Sequence, residues 1–362
     1  MLPTIRGADF VEPYLNNAEM HKVDLSKAEF MVLTEDHVDK AQYVNVFKEH
    51  GVEATVLNQR DRDKEMQALG LQKYHEELIP KKHRSEESFG LLYMWMHGHK
   101  YGFTIDDDTL PIDQFDFIGG HIKNLNFKGK ITELSSDKKF ANVLHQSFNK
   151  YHLYPRGYPF AARYEKISKR EIDVSKIGMS QGLWTNIPDL DSVTILSEGD
   201  LNGQSKTRMN AGDYKENFVV AKGNYVTVCS MNLAFRREVI PGFYQFKMKD
   251  NPWKVDRFDD IWSGLVAKKL IDELDYYIIN GKPLLQHNKA PRSSFMDLGF
   301  EAPGLEANEH LFKIIDAADT SSKDVFEKVE AIAKAMQKEK HPFISMCGGN
   351  LATWIEMLRK VS

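Results

Sequence analysis

The sequence predicts an α/β protein whose parallel strands deliver acidic residues to one edge of a sheet. A compact apolar run, Phe30 to Thr34, is followed by a segment with Ala41, Val44 and Phe47 on one face, and then by a β-branched run, Val52 to Leu57. Strand, helix, strand in that order is a βαβ unit, which requires parallel strands and a right-handed crossover. A second helix pattern, Ser85 to His97, precedes another buried-strand run, Tyr101 to Ile105, which leads directly into Asp106-Asp107-Asp108. In open α/β sheets the carboxyl ends of the strands are where ligands bind.

Each element has a local reason. Gly51 stops the first helix. In the second, Phe89, Leu92, Tyr93 and Met96 fall at i, i+3, i+4 and i+7, with Ser85 as cap and Gly98 as stop. The stretch from about 151 to 300 is richer in aromatics, Gly and Pro. It predicts strands at Val193 to Leu196, Phe218 to Ala221 and Tyr225 to Val228, a shaped loop at Gly182 to Asp189, and a helix at Asp259 to Leu274. Beyond it, Ser321 and Asp324 resemble a capping box before a helix with Val325, Val329, Ile332 and Met336 on one face. This divides the chain into a main domain, 1–300, and a C-terminal helical appendage, 301–362.

Composition excludes several classes. With 362 residues, 42% hydrophobic and 28% charged, the chain can bury a core and is neither fibrous nor unfolded. The 48 Lys+Arg against 52 Asp+Glu leave a net charge of −4, so no bulk basic surface points to nucleic acid. The local basic runs Pro80 to Arg84 and Lys166 to Arg170 read as solvated faces. Cys229 and Cys347 alone build neither a disulfide framework nor a four-cysteine zinc site. No run is long enough for a membrane span, and the N-terminus lacks a signal-peptide layout, so a cytoplasmic location is expected.

Three adjacent carboxylates at a strand end repel one another unless a cation neutralises them. A hard oxygen site of this kind suits Mg²⁺ or Mn²⁺ completed by water and phosphate, and the alternative is a solvated turn. Arg257-Phe258-Asp259-Asp260-Ile261-Trp262 puts two carboxylates at a helix N-terminus, either as capping charges or as catalytic groups. His287, just past an apolar run, is a metal ligand or a structural histidine.

These residues resemble the reversibly glycosylated polypeptides, which include the UDP-arabinopyranose mutases, of glycosyltransferase family 75. The matching blocks are Pro3 to Arg6, Phe103 to Asp108, His121 to Leu125, Arg156 to Phe160, Gly182 to Asp191, Met231 to Phe235 and Arg257 to Trp262, in the family's order over about residues 1 to 295. The resemblance implies a GT-A-like fold, with a Rossmann-type, mostly parallel sheet flanked by helices, and a UDP-sugar donor held with Mn²⁺ or Mg²⁺. It implies that Asp106 and Asp108 serve the metal and the ribose-diphosphate, with His287 as a further ligand. Thr4, Arg6, Asp36, Asp107 and Trp184 would line the nucleotide or wall the site, and Asp259 and Asp260 would face the sugar.

Tyr158-Pro159-Phe160 is followed three residues later by Arg163, the position that the family glycosylates reversibly. A guanidinium has no free lone pair, so it needs a neighbouring carboxylate to take its proton; the alternative role is a diphosphate clamp. Tyr164 to Ile167 departs from the family's Gly-containing turn, and Ser230 stands where Gly is common. The resemblance implies interconversion of the pyranose and furanose forms of a UDP-pentose. Transfer to an external acceptor (a glycan, a protein or a modified nucleobase) and a non-catalytic role within a homo- or hetero-oligomer are the alternatives.

Overall fold

The computed structural model describes residues 1–79, 86–150, 153–248 and 250–362. It opens with β1 (Leu2–Pro3), α1 (Glu12–Met20), β2 (Phe30–Leu33), α2 (Lys40–Glu49) and β3 (Ala54–Leu57). The three strands form a parallel sheet in the order β1-β2-β3, the βαβ arrangement that the apolar runs predict. The Asp39 carboxylate caps α2, and Gly51, at φ 67°, takes the left-handed turn after it.

Next come α3 (Gln59–Ala68), α4 (Gln72–Leu78), α5 (Glu87–His97), β4 (Tyr101–Ile105), β5 (Thr109–Pro111), α6 (Phe117–Leu125), β6 (Gly129–Ser136) and α7 (Val143–Phe148). The predicted Ser85 cap and the Pro80 to Arg84 run lie outside the described residues. They are followed by β7 (Ile167–Val174), β8 (Ile177–Asn186), α8 (Ser192–Ser197), β9 (Phe218–Val220), β10 (Asn232–Arg236), α9 (Asp259–Glu273) and β11 (Tyr277–His287). The chain ends in α10 (Ser294–Ala317), α11 (Val325–Gln337) and α12 (Pro342–Lys360).

The larger sheet runs β4-β10-β8-β11-β9-β6-β7, with β5 on β11. β1 lies beside β4 and runs the same way: the Met1 amino group donates to the Phe103 carbonyl, and the Thr4 hydroxyl to Asp107, each at 2.8 Å. Across this junction the strands read 3-2-1-4, the doubly-wound order. Then β10 enters antiparallel to both β4 and β8, while β8 and β11 pair parallel. The fold is thus the GT-A-like α/β arrangement. It differs from the expectation in that the larger sheet is mixed. The carboxyl ends of β1, β2, β4, β8 and β11 still share one edge.

Three local predictions give way. Val193 to Leu196 is helix α8, started by the Asp191 cap on Thr194 N. Gly182 to Asn186 is the end of β8 rather than a loop. Tyr225 to Val228 forms no strand and makes a single bridge at Tyr225. β8 is buried on both faces, so its sequence carries no alternation to read.

Several residues of the family-like blocks lock the sheet together beneath the edge. His121 Nε2 donates to Asn232 Oδ1 at 2.9 Å, because the Asn232 amide nitrogen is already given to the Leu183 and Pro283 carbonyls. His121 Nδ1 therefore accepts from the Ser180 hydroxyl at 2.8 Å, and Asn124 donates to that same oxygen. A Cβ on Gly182 would fall 2.2 Å from the Asn232 amide nitrogen, so only glycine admits this packing.

α10 is continuous across residue 300 and packs on α8 and α9. α11 and α12 form a hairpin so close that a Cβ on Gly348 would meet Ala333 O and Gln337 N at 2.7 Å. Trp354 of α12 stacks on Tyr244 at 5.5 Å, and one apolar cluster runs from these helices to the sheet. No helix among the described residues is long and apolar enough to cross a membrane.

Candidate active site

The acidic triplet sits where β4 leaves the sheet. Thr4, just past β1, donates to Asp107 Oδ2 and accepts from Arg6 N at 3.0 Å. Arg6 Nε lies 3.2 Å from Asp107 Oδ1, and its Nη2 lies 4.0 Å from Asp108. The Asp106 carbonyl accepts from Thr109 N and from its hydroxyl, which shapes the turn.

β11 brings in the other half. Asn288 N donates to the Asp108 carbonyl at 2.8 Å, and Asn186 at the end of β8 donates to His287 O and to Asn288 Oδ1, both at 3.1 Å. His287 is buried, and its Nδ1 lies 2.8 Å from the Ile187 carbonyl. A carbonyl only accepts, so Nδ1 carries the proton and Nε2, 3.8 Å from Asp108 Oδ2, presents its lone pair to the carboxylate side. Burial works against a charge on this ring, but the nearby Asp108 carboxylate, with Asp189 behind and the Ile187 carbonyl, raises its pKa overall. A cation is favoured at this point.

A buried ion network extends from there. Arg156 binds Asp189 through Nε at 3.1 Å and Nη2 at 3.1 Å, and its Nη1 donates to the Arg257 carbonyl. Burial alone would raise the Asp189 pKa, yet the Arg156 charge and hydrogen bonds, with His287 and Lys289, hold it well below the usual range. Asp260, fully buried in the first turn of α9, lies 3.8 Å from Arg156 and accepts from Ser230 N at 3.2 Å and Ile261 N at 3.0 Å. Asp259 is buried beside it. Arg257, at φ 67°, pairs with Asp297 at 3.2 Å and Glu301 at 2.9 Å. Lys289 Nζ stands 3.7 Å from Asp297; burial and Arg257 lower its proton affinity against the pull of Asp189, Asp297 and Glu301.

Arg163 stands further along this network. Glu301 Oε2 accepts from Ser192 N and Oγ, each at 2.7 Å, which ties α10 to the start of α8. The α8 cap, Asp191, holds Arg163 Nη2 at 3.0 Å, with Thr194 Oγ1 at 3.2 Å. The guanidinium is sandwiched between Phe160, 3.8 Å from the ring centre, and Tyr154 at 4.8 Å.

The structure therefore brings Thr4, Arg6, Asp107, Asp108 and His287 into one group, with Asp106 at its base. Asp260 joins through Arg156, and Asp259 is its buried neighbour in the first turn of α9. Asp36 lies on the same sheet edge but is engaged by Arg60, through its backbone N at 3.1 Å and its Nε at 3.3 Å. Trp184 is buried in β8, in register with Leu285, two residues before the Asn186–His287 pair. Asp189, Arg156, Asp191 and Lys289 were not singled out by sequence. Arg156, Asp189 and Asp191 lie inside the matching blocks and Lys289 two residues after His287, but a single sequence does not reveal which buried charge meets which. A groove of about 720 Å³ beside α6, lined by Lys123, Lys130, Glu171 and Lys282, shares no residue with this edge. Among the described residues no three His, Cys, Asp or Glu side chains close to metal spacing by themselves.

The chain is similar to known proteins. The probable UDP-arabinopyranose mutase 1 of Pisum sativum is 28% identical over 98% of this chain and 88% of its own length. UDP-arabinopyranose mutase 1 of Oryza sativa subsp. japonica is 30% identical over 71% of this chain and 67% of its own. The probable UDP-arabinopyranose mutase 4 of Arabidopsis thaliana is 29% identical over the same shares. The sequence model described as "Reversibly glycosylated polypeptide" matches residues 9–362, taking in the C-terminal helices as well as the acidic edge, and the chain belongs to that family.

Proposed function

We propose that the protein is a metal-dependent UDP-sugar mutase that interconverts the pyranose and furanose forms of UDP-arabinose. The observation that carries this reading is the meeting of Asp108, from the end of β4, with the His287 lone pair, from the end of β11. The names of its relatives point the same way. Asp106, Asp108 and His287 would hold Mn²⁺ or Mg²⁺, whose chemistry is to neutralise charge on the departing diphosphate. Two carboxylates and one imidazole, with the remaining positions left to phosphate and water, suit either ion.

The chain's own residues do the rest. Thr4 and Arg6 fix Asp107, and Asn186 fixes the His287–Asn288 backbone, so the donors are held before substrate arrives. Arg163 carries the sugar in this reading: Nη2 attacks the anomeric carbon, the bond to UDP breaks, UDP leaves as the anion, and the guanidinium proton passes to Asp191. Burial raises the Asp191 pKa against the opposing pull of Thr194 and Arg163, which suits a proton acceptor. Cys347 is a buried free thiol, in keeping with the reducing cytosol as the working compartment.

The test is incubation with UDP-arabinopyranose and Mn²⁺, with products separated by anion-exchange chromatography. A UDP-arabinofuranose peak is expected, and Asp108→Asn should weaken Mn²⁺-dependent UDP binding by at least about tenfold. Unchanged UDP-sugar would overturn the mutase reading.

A further inference from the structure

We infer that Lys289 is the phosphate-binding cation of this site, the ammonium that meets the diphosphate oxygens of a bound nucleotide. The inference rests on the UDP-sugar reading above. Two carboxylates balance a divalent ion, so a diphosphate that binds beside them needs further positive charge. The nearby cations differ in what they have left to give. Arg156 spends its fork on Asp189 and the Arg257 carbonyl, and Arg257 is ion-paired with Asp297 at 3.2 Å and Glu301 at 2.9 Å. Arg292 lies 2.8 Å from Asp297 and 5.2 Å from the centre of the Phe300 ring. Arg6 is occupied by Asp107.

Lys289 is different. Its ammonium has three donors, and its nearest carboxylate oxygen, on Asp297, is 3.7 Å away, beyond hydrogen-bond reach. Among the described residues Nζ makes no hydrogen bond. A mostly buried ammonium in that condition is rare in folded proteins, and an incoming anion would supply what it lacks. Its position is also fixed. The preceding residue donates to the Asp108 carbonyl, and the Lys289 carbonyl accepts from Gln204 at 2.8 Å. The side chain keeps 15% exposure, a path open to ligand. The diphosphate role that the sequence offers to Arg163 thus falls to a lysine one residue from the acidic edge's own backbone contact.

Calorimetric titration of the full chain with UDP and Mn²⁺ tests it. Lys289→Met should weaken UDP binding about 10- to 100-fold while uridine affinity stays within about twofold. UDP affinity within about threefold of the unaltered chain would overturn the assignment. No UDP binding by the unaltered chain would instead sink the UDP-sugar reading, and this one with it. Asp297 keeps Arg257 and Arg292 in the variant, so the network stays compensated. Should Lys289→Met nevertheless unfold, acetic anhydride labelling of the unaltered chain gives a second reading: UDP with Mn²⁺ should slow acetylation of Lys289, and no protection would overturn the proposal.

Discussion

Asp191 caps the start of α8 and holds Arg163 with the same carboxylate, so one side chain serves both a helix end and a guanidinium. Removing it would orphan a largely buried cation and uncap the helix. Asp191→Ala should therefore cost roughly 3 kcal/mol, measured by urea denaturation, well above the loss of a cap alone. At this scale a strand end and an apolar run mark the acidic triplet and His287 as candidates, whereas Thr4 and Arg6 entered only through the family resemblance. The partners of Arg163 and Lys289 were not legible. Asp191 follows Arg163 by 28 residues and Asp297 follows Lys289 by eight, and no spacing rule joins side chains that meet only when α8 and α10 pack.

The helices α2, α9 and α11 lie where the pattern puts them, α2 and α11 capped by Asp39 and Asp324 and α9 without a side-chain cap. α8 does not, because Val193-Thr194-Ile195 is β-branched and short; its Asp191 cap outweighs that composition. The end of β8 read as a loop because both of its faces are covered. The α11–α12 hairpin depends on one small residue. Gly348→Ala would press a methyl onto two backbone atoms of α11, and the helices would have to separate. A loss of roughly 2 to 3 kcal/mol is expected in the same denaturation measurement, without loss of helix signal from the rest of the chain.

The whole molecule should lose stability on mild acidification, and His121 supplies a defined part of that loss. Burial pushes its pKa down to about 4, with only the hydrogen bond to Asn232 opposing. Its neighbours are the Phe103 and Phe117 rings, Ser180 and Asn232, none of them charged. The folded protein binds this proton less readily than the unfolded chain does. The contribution is therefore complete above about pH 6.5 and is lost as pH falls from there to about 4, some 3 kcal/mol in all. Urea midpoints of the wild type and of His121→Gln, compared across that range, should converge as pH falls. Parallel curves would contradict the assignment. At this scale α/β layering was legible from the alternation of strand and helix patterns. The antiparallel entry of β10 was not, since a strand's own residues do not state the direction of its neighbour. The seating of β11 between β8 and β9 has a further consequence, for biosynthesis. While the ribosome is still translating toward His287, the sheet has a gap at its centre and the edge has no imidazole. β4 must wait roughly ten to forty seconds, β8 roughly five to twenty and β10 roughly three to ten, with apolar faces and open ladder groups. The nascent chain is therefore a client for holding chaperones, and its site is assembled by the last strand to arrive.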